Sequence, residues 1–502
     1  MGAFRGNPYE ADMNDRNIGG TGRSARSLAR LLALACALSL AACEGTSGDV
    51  DATDPGMPQD PGIVDPGTPD AGPDLPGDVT ATDTTPDATP DDGPGEDPGT
   101  ADPGDPDPGA GDPGTPDSGH DWGPPPCEGD LAPQPLPADP DTTFHRGPYV
   151  QDLRTDSAVI VWRTAVPETT EGCVRYSVAD ADQVACDTPD ERGQYEVLLS
   201  GLPPDTAIPY AVEVGETKTT VPLAFRTAPD TPRPVRLLVF ADGHYNESVL
   251  DPIARAGLAD GVDLAVSVGD LVSQPEETQF DQALNGLRTL MHRVPMYAVL
   301  GNHEARGANH FAAFVVPGAA PDAPQERYYS VRHGNVWMGM LEVIDFEVSL
   351  LFGMDTDQVA WLKRELDGEA ARTARWRLLF IHHPPWSLGW GHCDGYHGEE
   401  SLRQILLPLA AEKGVAAIFS GHMHGYERGE VDGVTLVVNG GAGGGLDIEC
   451  PEPEDFPSPW VRDYAFHRVT VDAACDALTV EAHDLDDVLI DRFELPWVEP
   501  GT

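Results

Sequence analysis

Basic residues are scarce: 31 Lys and Arg face 84 Asp and Glu, a formal charge of −53 at pH 7 over 502 residues. Binding a phosphate backbone needs a basic face, so this balance argues against nucleic acid as a partner. A small anionic ligand is still admissible, because charges beyond a Debye length of roughly 8 Å are largely screened. Long apolar runs are lacking as well. The N-terminal run Leu31-Leu32-Ala33-Leu34-Ala35-Cys36-Ala37-Leu38 is too short to span a bilayer. Cysteines number only 8, and an even number remains once Cys36 and Cys43 are set aside. In an exported chain that parity points to disulfides rather than redox chemistry.

Export itself is read from Arg23, Arg26 and Arg30, the apolar run after them, and Leu40-Ala41-Ala42-Cys43. The last four residues resemble the bacterial lipoprotein processing signal, which implies cleavage before Cys43 and lipidation of its thiol. Residues 1–42 are expected to be a signal peptide. By the same resemblance the protein is lipid-anchored to a membrane through Cys43, at the bacterial cell envelope or outer surface. Residues 43–126 consist largely of Asp, Pro, Gly and Thr and offer almost nothing to bury, so a disordered tether is expected. No Lys or Arg occurs between Arg30 and Arg146, and self-repulsion extends such a segment. Its function is reach.

Residues 143–228 look β-rich. Ala158–Arg163, Cys173–Tyr176, Tyr195–Leu199 and Tyr210–Val214 read as short strands around a buried Trp162, the pattern of a sandwich. The region resembles a fibronectin type III-like domain and holds no titratable cluster, so packing or positioning is its expected role. From residue 234 to 497 strands and helices alternate. Arg236–Ala241, Leu264–Val268, Met296–Leu300, Arg377–Ile381 and Ala416–Phe419 are expected strands, with helices over Val249–Ala259, Glu276–His292, Asp357–Leu366 and Leu402–Glu412. That order argues an α/β sheet with helices on its faces, and such folds bind ligands beyond the carboxyl ends of their strands. Phe466–Val471, Ala477–His483 and Val488–Leu495 read as closing strands.

Polar clusters fall at those ends: Asp242-Gly243-His244, Gly269-Asp270, Gly301-Asn302-His303-Glu304, His382-His383-Pro384 and Gly421-His422-Met423-His424. Alone, Asp242 or Asp270 could cap a helix, Asn302 hold a turn, and His382 be a core histidine. Carboxylates, an amide and imidazoles at five successive strand ends point jointly to metal ligation.

The set, with the ending His422-Met423-His424-Gly425-Tyr426-Glu427-Arg428, resembles the calcineurin-like metallophosphoesterases and, within them, the purple acid phosphatases. The resemblance runs from about Gly147 to Leu495. It implies an α/β metallophosphoesterase, a β-sheet sandwich flanked by helices, preceded by an all-β fibronectin type III-like sandwich. It implies two divalent or mixed-valence metal ions (Fe, Zn or Mn), one held by Asp242, His244, Asp270 and His424, the other by Asp270, Asn302, His382 and His422. His382 is preferred over His383 because it stands two residues before Pro384. Asp270 would bridge. The implied reaction is hydrolysis of a small phosphate ester by metal-activated hydroxide, with His303 touching the phosphoryl oxygen or protonating the leaving alkoxide. Purple acid phosphatases carry Tyr three residues after the bridging Asp; this chain has Ser273 there and offers His244 instead, so a colourless protein is expected.

The loop Trp386–Glu400 supplies the expected substrate contacts: His392 and His397 as donors to phosphate, Trp386 and Tyr396 as pocket lining. Gly440–Gly445 lacks a following Lys-Ser/Thr and reads as a flexible turn rather than a phosphate loop. Among the possible disulfides, Cys173–Cys186 is the easiest local pair, Cys393–Cys450 would tie two loops near the site, and Cys127 is left for Cys475. The resemblance implies an acid phosphatase-like phosphomonoesterase; a phosphodiesterase or nucleotidase, or a surface-binding protein on the same fold without turnover, is the alternative.

Overall fold

The computed structural model describes residues 140–165, 169–304, 307–317, 327–343, 357–393, 395–457 and 460–497. The expected signal peptide, the tether, Cys43 and Cys127 lie outside them. No helix of the described residues is long and apolar enough to cross a membrane.

The first strands are β1 (Arg146–Gln151), β2 (Ser157–Arg163), β3 (Gly172–Val178), β4 (Ala181–Asp187), β5 (Gln194–Ser200), β6 (Ala207–Val214), β7 (Thr217–Lys218) and β8 (Leu223–Arg226), with period-two burial clearest in β5, β6 and β8. In β6, Ile208, Tyr210, Val212 and Val214 are buried while the intervening residues are exposed or half-buried. One sheet runs β1-β2-β5; the other runs β4-β3-β6-β7, with β8 paired to β6. Their shared core holds Trp162 stacked on Tyr195 at 4.7 Å, with Val174, Val212 and Phe225. Cys173 and Cys186 are ladder partners of β3 and β4 and are disulfide-bonded. Cys475 is also disulfide-bonded.

The remaining strands build two facing sheets. They are β9 (Val235–Phe240), β10 (Leu264–Ser267), β11 (Met296–Ala298), β12 (Tyr329–His333), β13 (Val336–Met340), β14 (Trp376–Phe380), β15 (Ala417–Ser420), β16 (Tyr426–Val431), β17 (Val434–Asn439), β18 (Val461–Asp463), β19 (His467–Ala473), β20 (Ala477–Asp484) and β21 (Leu489–Pro496). The first sheet runs β11-β10-β9-β19-β20-β21 and the second β12-β13-β14-β15-β17-β16-β18. Within them β9, β10 and β11 are parallel, as are β13, β14, β15 and β17.

Both faces of the central strands β14, β15 and β17 are buried, which is why these read as largely hydrophobic runs. Leu378 and Phe380 of β14 join Leu237 and Val239 in the core between the sheets. Leu379 and Ile381 turn the other way, onto Leu362, Leu366 and Leu406. Those leucines belong to the outer helices. In chain order the helices are α1 (Glu247–Asp260), α2 (Glu277–Gly286), α3 (Arg288–Met291), α4 (Ala308–Ala313), α5 (Asp357–Asp367), α6 (Glu369–Arg372), α7 (Glu400–Gln404) and α8 (Leu406–Glu412). Two expected helices are each split. Glu276–His292 divides at Leu287, and Leu402–Glu412 divides at Ile405, where Pro408 falls in the first turn of α8 and its missing N–H costs no helical bond.

The front sandwich is fastened to α2 and α3 through buried polar groups. Arg146 meets Asp281 at 3.0 Å, Arg163 meets Glu277 at 2.7 Å, and Arg288 donates to the carbonyls of Asp141 and Phe144.

Candidate metal centre

Parallel strands bring their carboxyl ends to one edge, and the two sheets share that edge. Asp242 follows β9, Asp270 follows β10, Asn302 follows β11, His382 follows β14, and His422 follows β15. Sharp backbone reversals aim these side chains inward. Asp242, His244, Asp270 and His422 all have left-handed φ, at 60°, 43°, 49° and 69°. Such a conformation is costly for residues with a Cβ, and it clusters at functional sites.

Asp242, His244 and His424 form one group of potential ligands. The Nε2 atoms of His244 and His424 face each other at 3.2 Å, and Asp242 Oδ1 lies 3.4 Å from His424 Nε2. Asp242 is fully buried, and its Oδ1 has no hydrogen-bond partner among the described residues. Oδ2 accepts the backbone N–H of His422 at 2.8 Å. The other ring nitrogens are held from outside. Ser273 Oγ lies 3.0 Å from His244 Nδ1, and His424 Nδ1–H donates to the Gly445 carbonyl at 2.7 Å. This is the arrangement that leaves Nε2 for a metal.

Asp270, His382 and His422 form a second group. His382 Nε2 is 3.1 Å from Asp270 Oδ2 and 3.1 Å from Asn302 Oδ1, while its Nδ1–H donates to the Val268 carbonyl at 2.9 Å. Asp270 also belongs to a third group with His244 and His303, so it stands between the two sets. His303 Nδ1–H donates to the Ser273 carbonyl at 2.8 Å, and Nε2 lies 3.8 Å from Asp270 Oδ2.

Burial drives the His244 and His422 imidazoles well below their ordinary range, leaving them neutral. For Asp270 burial opposes ionisation, but the charge and hydrogen bond of His382 outweigh it and hold the carboxyl well below the usual carboxylate range. Burial likewise opposes a charge on His382, and Asp270 overcomes it, lifting the ring to about 10. A cation bound here takes that proton's place. The unpartnered Asp242 oxygen, the converging Nε2 atoms and the mixed nitrogen and oxygen donors together fit a pair of metal ions.

Two features received no role in the site from sequence. Glu304 is buried, its Oε2 accepting the N–H groups of Asp270 (2.9 Å) and Gly301 (2.7 Å), its Oε1 that of Val272 (3.3 Å). It fixes the backbone of the shared carboxylate, and burial followed by the Asp270 charge raises its own carboxyl to about 7. Its place directly after Asn302-His303 was the available signal. The Gly440–Gly445 run, expected to be a flexible turn, instead lies against the first group. Gly444 N–H donates to the Asp242 carbonyl at 2.9 Å, and a Cβ on Gly444 would come within 2.5 Å of the His424 ring. At Gly301 a Cβ would fall 2.1 Å from Asp270 Oδ1.

In the Trp386–Glu400 loop the expected contacts separate. Tyr396 packs on Trp390 at 4.8 Å and edge-on to His422 at 5.5 Å. Trp390, which the loop's aromatic content alone did not single out, lies 5.1 Å from His422. Trp386 packs against Phe456 at 5.6 Å, beneath the Arg403 guanidinium at 4.2 Å. His392 is exposed. His397 is half-buried, and its carbonyl accepts from Ser387 N–H at 3.3 Å and Arg403 at 3.2 Å. The loop is tied to residues 446–450 by the Cys393–Cys450 disulfide.

Residues 235–426 match the family model of calcineurin-like phosphoesterases. The chain carries a calcineurin-like phosphoesterase domain. That domain begins with β9 and runs through the clusters from Asp242 to His424. Purple acid phosphatase 15 of Arabidopsis thaliana is 26% identical over 197 residues, covering 34% of this chain and 36% of that relative. Fe(3+)-Zn(2+) purple acid phosphatase 12 of the same plant is 28% identical over 126 residues, covering 25% of each. The chain thus spans only a quarter to about a third of the length of these two relatives. A solved purple acid phosphatase from yellow lupin (Lupinus luteus) seeds shares the fold, with a TM-score of 0.58 at 17% identity, covering 70% of this chain and 74% of that one.

Proposed function

We propose that the protein is a two-metal phosphoesterase, acting as an acid phosphatase-like enzyme on small phosphate monoesters. The observation that carries the proposal is Asp270, whose carboxylate stands between the His244/His303 group and the His382/His422 group. Asp242, His244, Asp270 and His424 would hold one ion, and Asp270, Asn302, His382 and His422 the other. The iron and zinc named for the Arabidopsis relative support Fe or Zn, and the mixed nitrogen and oxygen donors present here also suit Mn. When bound, such ions polarise the phosphoryl group and make water nucleophilic at neutral pH.

The chain's own residues do the rest. Asn302 and the imidazoles of His244, His382, His422 and His424 would fix where the ions sit, and so where the phosphoryl oxygens are held. His303 is the catalytic residue. Its Nδ1–H is anchored on the Ser273 carbonyl, so Nε2 is the atom that carries or gives a proton toward the leaving oxygen. No protein nucleophile is required. The front sandwich, of fibronectin type III-like kind, positions α2 and α3 beneath the site. Export and lipid anchoring through Cys43 complete the proposal, with the tether between anchor and enzyme.

The test is metal content and hydrolysis of p-nitrophenyl phosphate and its bis ester by the full chain, His422→Ala and His303→Ala. Two metals per chain, preference for the monoester, loss of metal and turnover in His422→Ala, and retained metal with turnover about 100-fold lower in His303→Ala support it. Preference for the bis ester would make it a diesterase. Full metal with no turnover would favour a binding protein on the same fold.

A further inference from the structure

Beside His422 the cluster is bordered by aromatic side chains rather than by charge. Trp390 lies 5.1 Å from the His422 ring and tilts against Tyr396 at 4.8 Å, and Tyr396 meets His422 edge-on at 5.5 Å. Residues 387–389 just before Trp390 are buried, whereas Trp390 and Tyr396 are half-buried and Gly391, His392 and Gly395 exposed, so this edge opens to solvent. The indole N–H of Trp390 is buried without an acceptor among the described residues. A buried donor left unpaired is costly, and a ligand oxygen relieves it.

The facing loop continues the apolar edge. Asp447 is bound to His424 twice, its backbone N–H donating to the His424 carbonyl at 3.0 Å and its Oδ2 accepting the His424 backbone N–H at 2.8 Å. On either side of it stand Leu446 and Ile448, 37% and 56% exposed. The backbone N–H of Trp390 donates to the Ile448 carbonyl at 3.0 Å, and Cys393–Cys450 closes the junction. Large apolar side chains exposed at the rim of a polar cluster mark a surface that a ligand covers.

We infer that Trp390, with Tyr396, Leu446 and Ile448 around it, forms a subsite for a planar aromatic group joined directly to the ester oxygen. The substrate class is then aryl phosphates, and Trp390 is a specificity-determining residue. The inference rests on the phosphoesterase reading above. Its chemistry is ordinary: a ring whose phosphate lies at the His422 group reaches the indole without a spacer, and aromatic stacking adds to the area it buries.

The test uses the full chain with its bound metals. Calorimetry compares phenylphosphonate with methylphosphonate, and kinetics compares phenyl phosphate with ethyl phosphate, in wild type, Trp390→Leu and Trp390→Phe. The wild type should bind phenylphosphonate about tenfold tighter than methylphosphonate. Trp390→Leu should bring that ratio to near one and cut kcat/KM for phenyl phosphate about tenfold, with ethyl phosphate changed less than about twofold; Trp390→Phe should keep most of the preference. Equal losses on both esters, an unchanged ratio in Trp390→Leu, or a wild-type ratio near one would overturn the subsite while leaving hydrolysis intact. Preferential phenylphosphonate binding with no turnover of either ester would sustain the subsite and defeat the phosphoesterase reading.

Discussion

Ser273 touches two imidazoles at once: its Oγ lies 3.0 Å from His244 Nδ1, and its carbonyl accepts His303 Nδ1–H at 2.8 Å. In sequence it stood out only as a missing tyrosine. In the fold its hydroxyl orients His244. Ser273→Ala removes the hydroxyl and leaves the carbonyl, so His303 keeps its anchor and His244 loses its own. Metal affinity at the first group should fall about tenfold to hundredfold, read by competition with a chelating dye, because outer partners of ligand histidines carry effects of that size. Unchanged affinity would show that His244 needs no such partner. Asp242, Asp270, His382 and His422 were legible because parallel strands end together, so motifs far apart in sequence had to converge. Glu304 and Ser273 were not, since their work is done on backbone amides and on another ring's far nitrogen, which no spacing rule reports.

At the scale of elements, Glu427 on β16 holds the loop that carries Trp390. It is fully buried, and both carboxylate oxygens take the Leu388 N–H, at 2.9 and 3.2 Å. Burial raises its carboxyl to about 7. Below about 4 the group is neutral folded or unfolded; between the unfolded value of about 4.3 and the folded value the native chain holds the extra proton, so stability falls as pH rises through that window. The full penalty, reached above about pH 8, is about 4 kcal/mol. Glu427→Gln should therefore lose less stability than wild type between about pH 5 and about pH 8, measured by urea midpoints at each pH. Parallel losses would exclude Glu427 as the cause. β16 itself escaped the sequence reading: Tyr426–Val431 carries charges that Asp491 and Arg462 meet only in the tertiary structure. β12 and β13, separated only by Gly334 and Asn335, and the split of the two expected helices escaped likewise, because periodicity alone does not fix where an element breaks.

Across the molecule, the front sandwich and the two-sheet body are coupled by a charged knot at low exposure. The Arg146 side chain is 3% exposed and that of Asp281 10%, with His145 and Arg163 on the same carboxylate at 2.9 and 3.4 Å. Arg146→Met should cost about 3 kcal/mol, since breaking a buried pair leaves a charge short of its partner. The thermal midpoint of the whole unit should drop while kcat at permissive temperature stays close to wild type. A drop in kcat without loss of stability would instead mean that the sandwich shapes the site directly. The sandwich was legible from short strands at regular spacing around Trp162, whereas its docking was not, because Arg146 and Asp281 stand 135 residues apart, and Arg288 and the Asp141 carbonyl 147, and they meet only in space.

Four imidazoles, those of His244, His303, His382 and His424, have Nδ1 engaged by a hydroxyl or carbonyl outside the cluster. Their orientation is therefore an attribute of the protein frame itself and not a response to a guest. An arriving ion would meet a vessel already cast, and its departure would leave the mould standing.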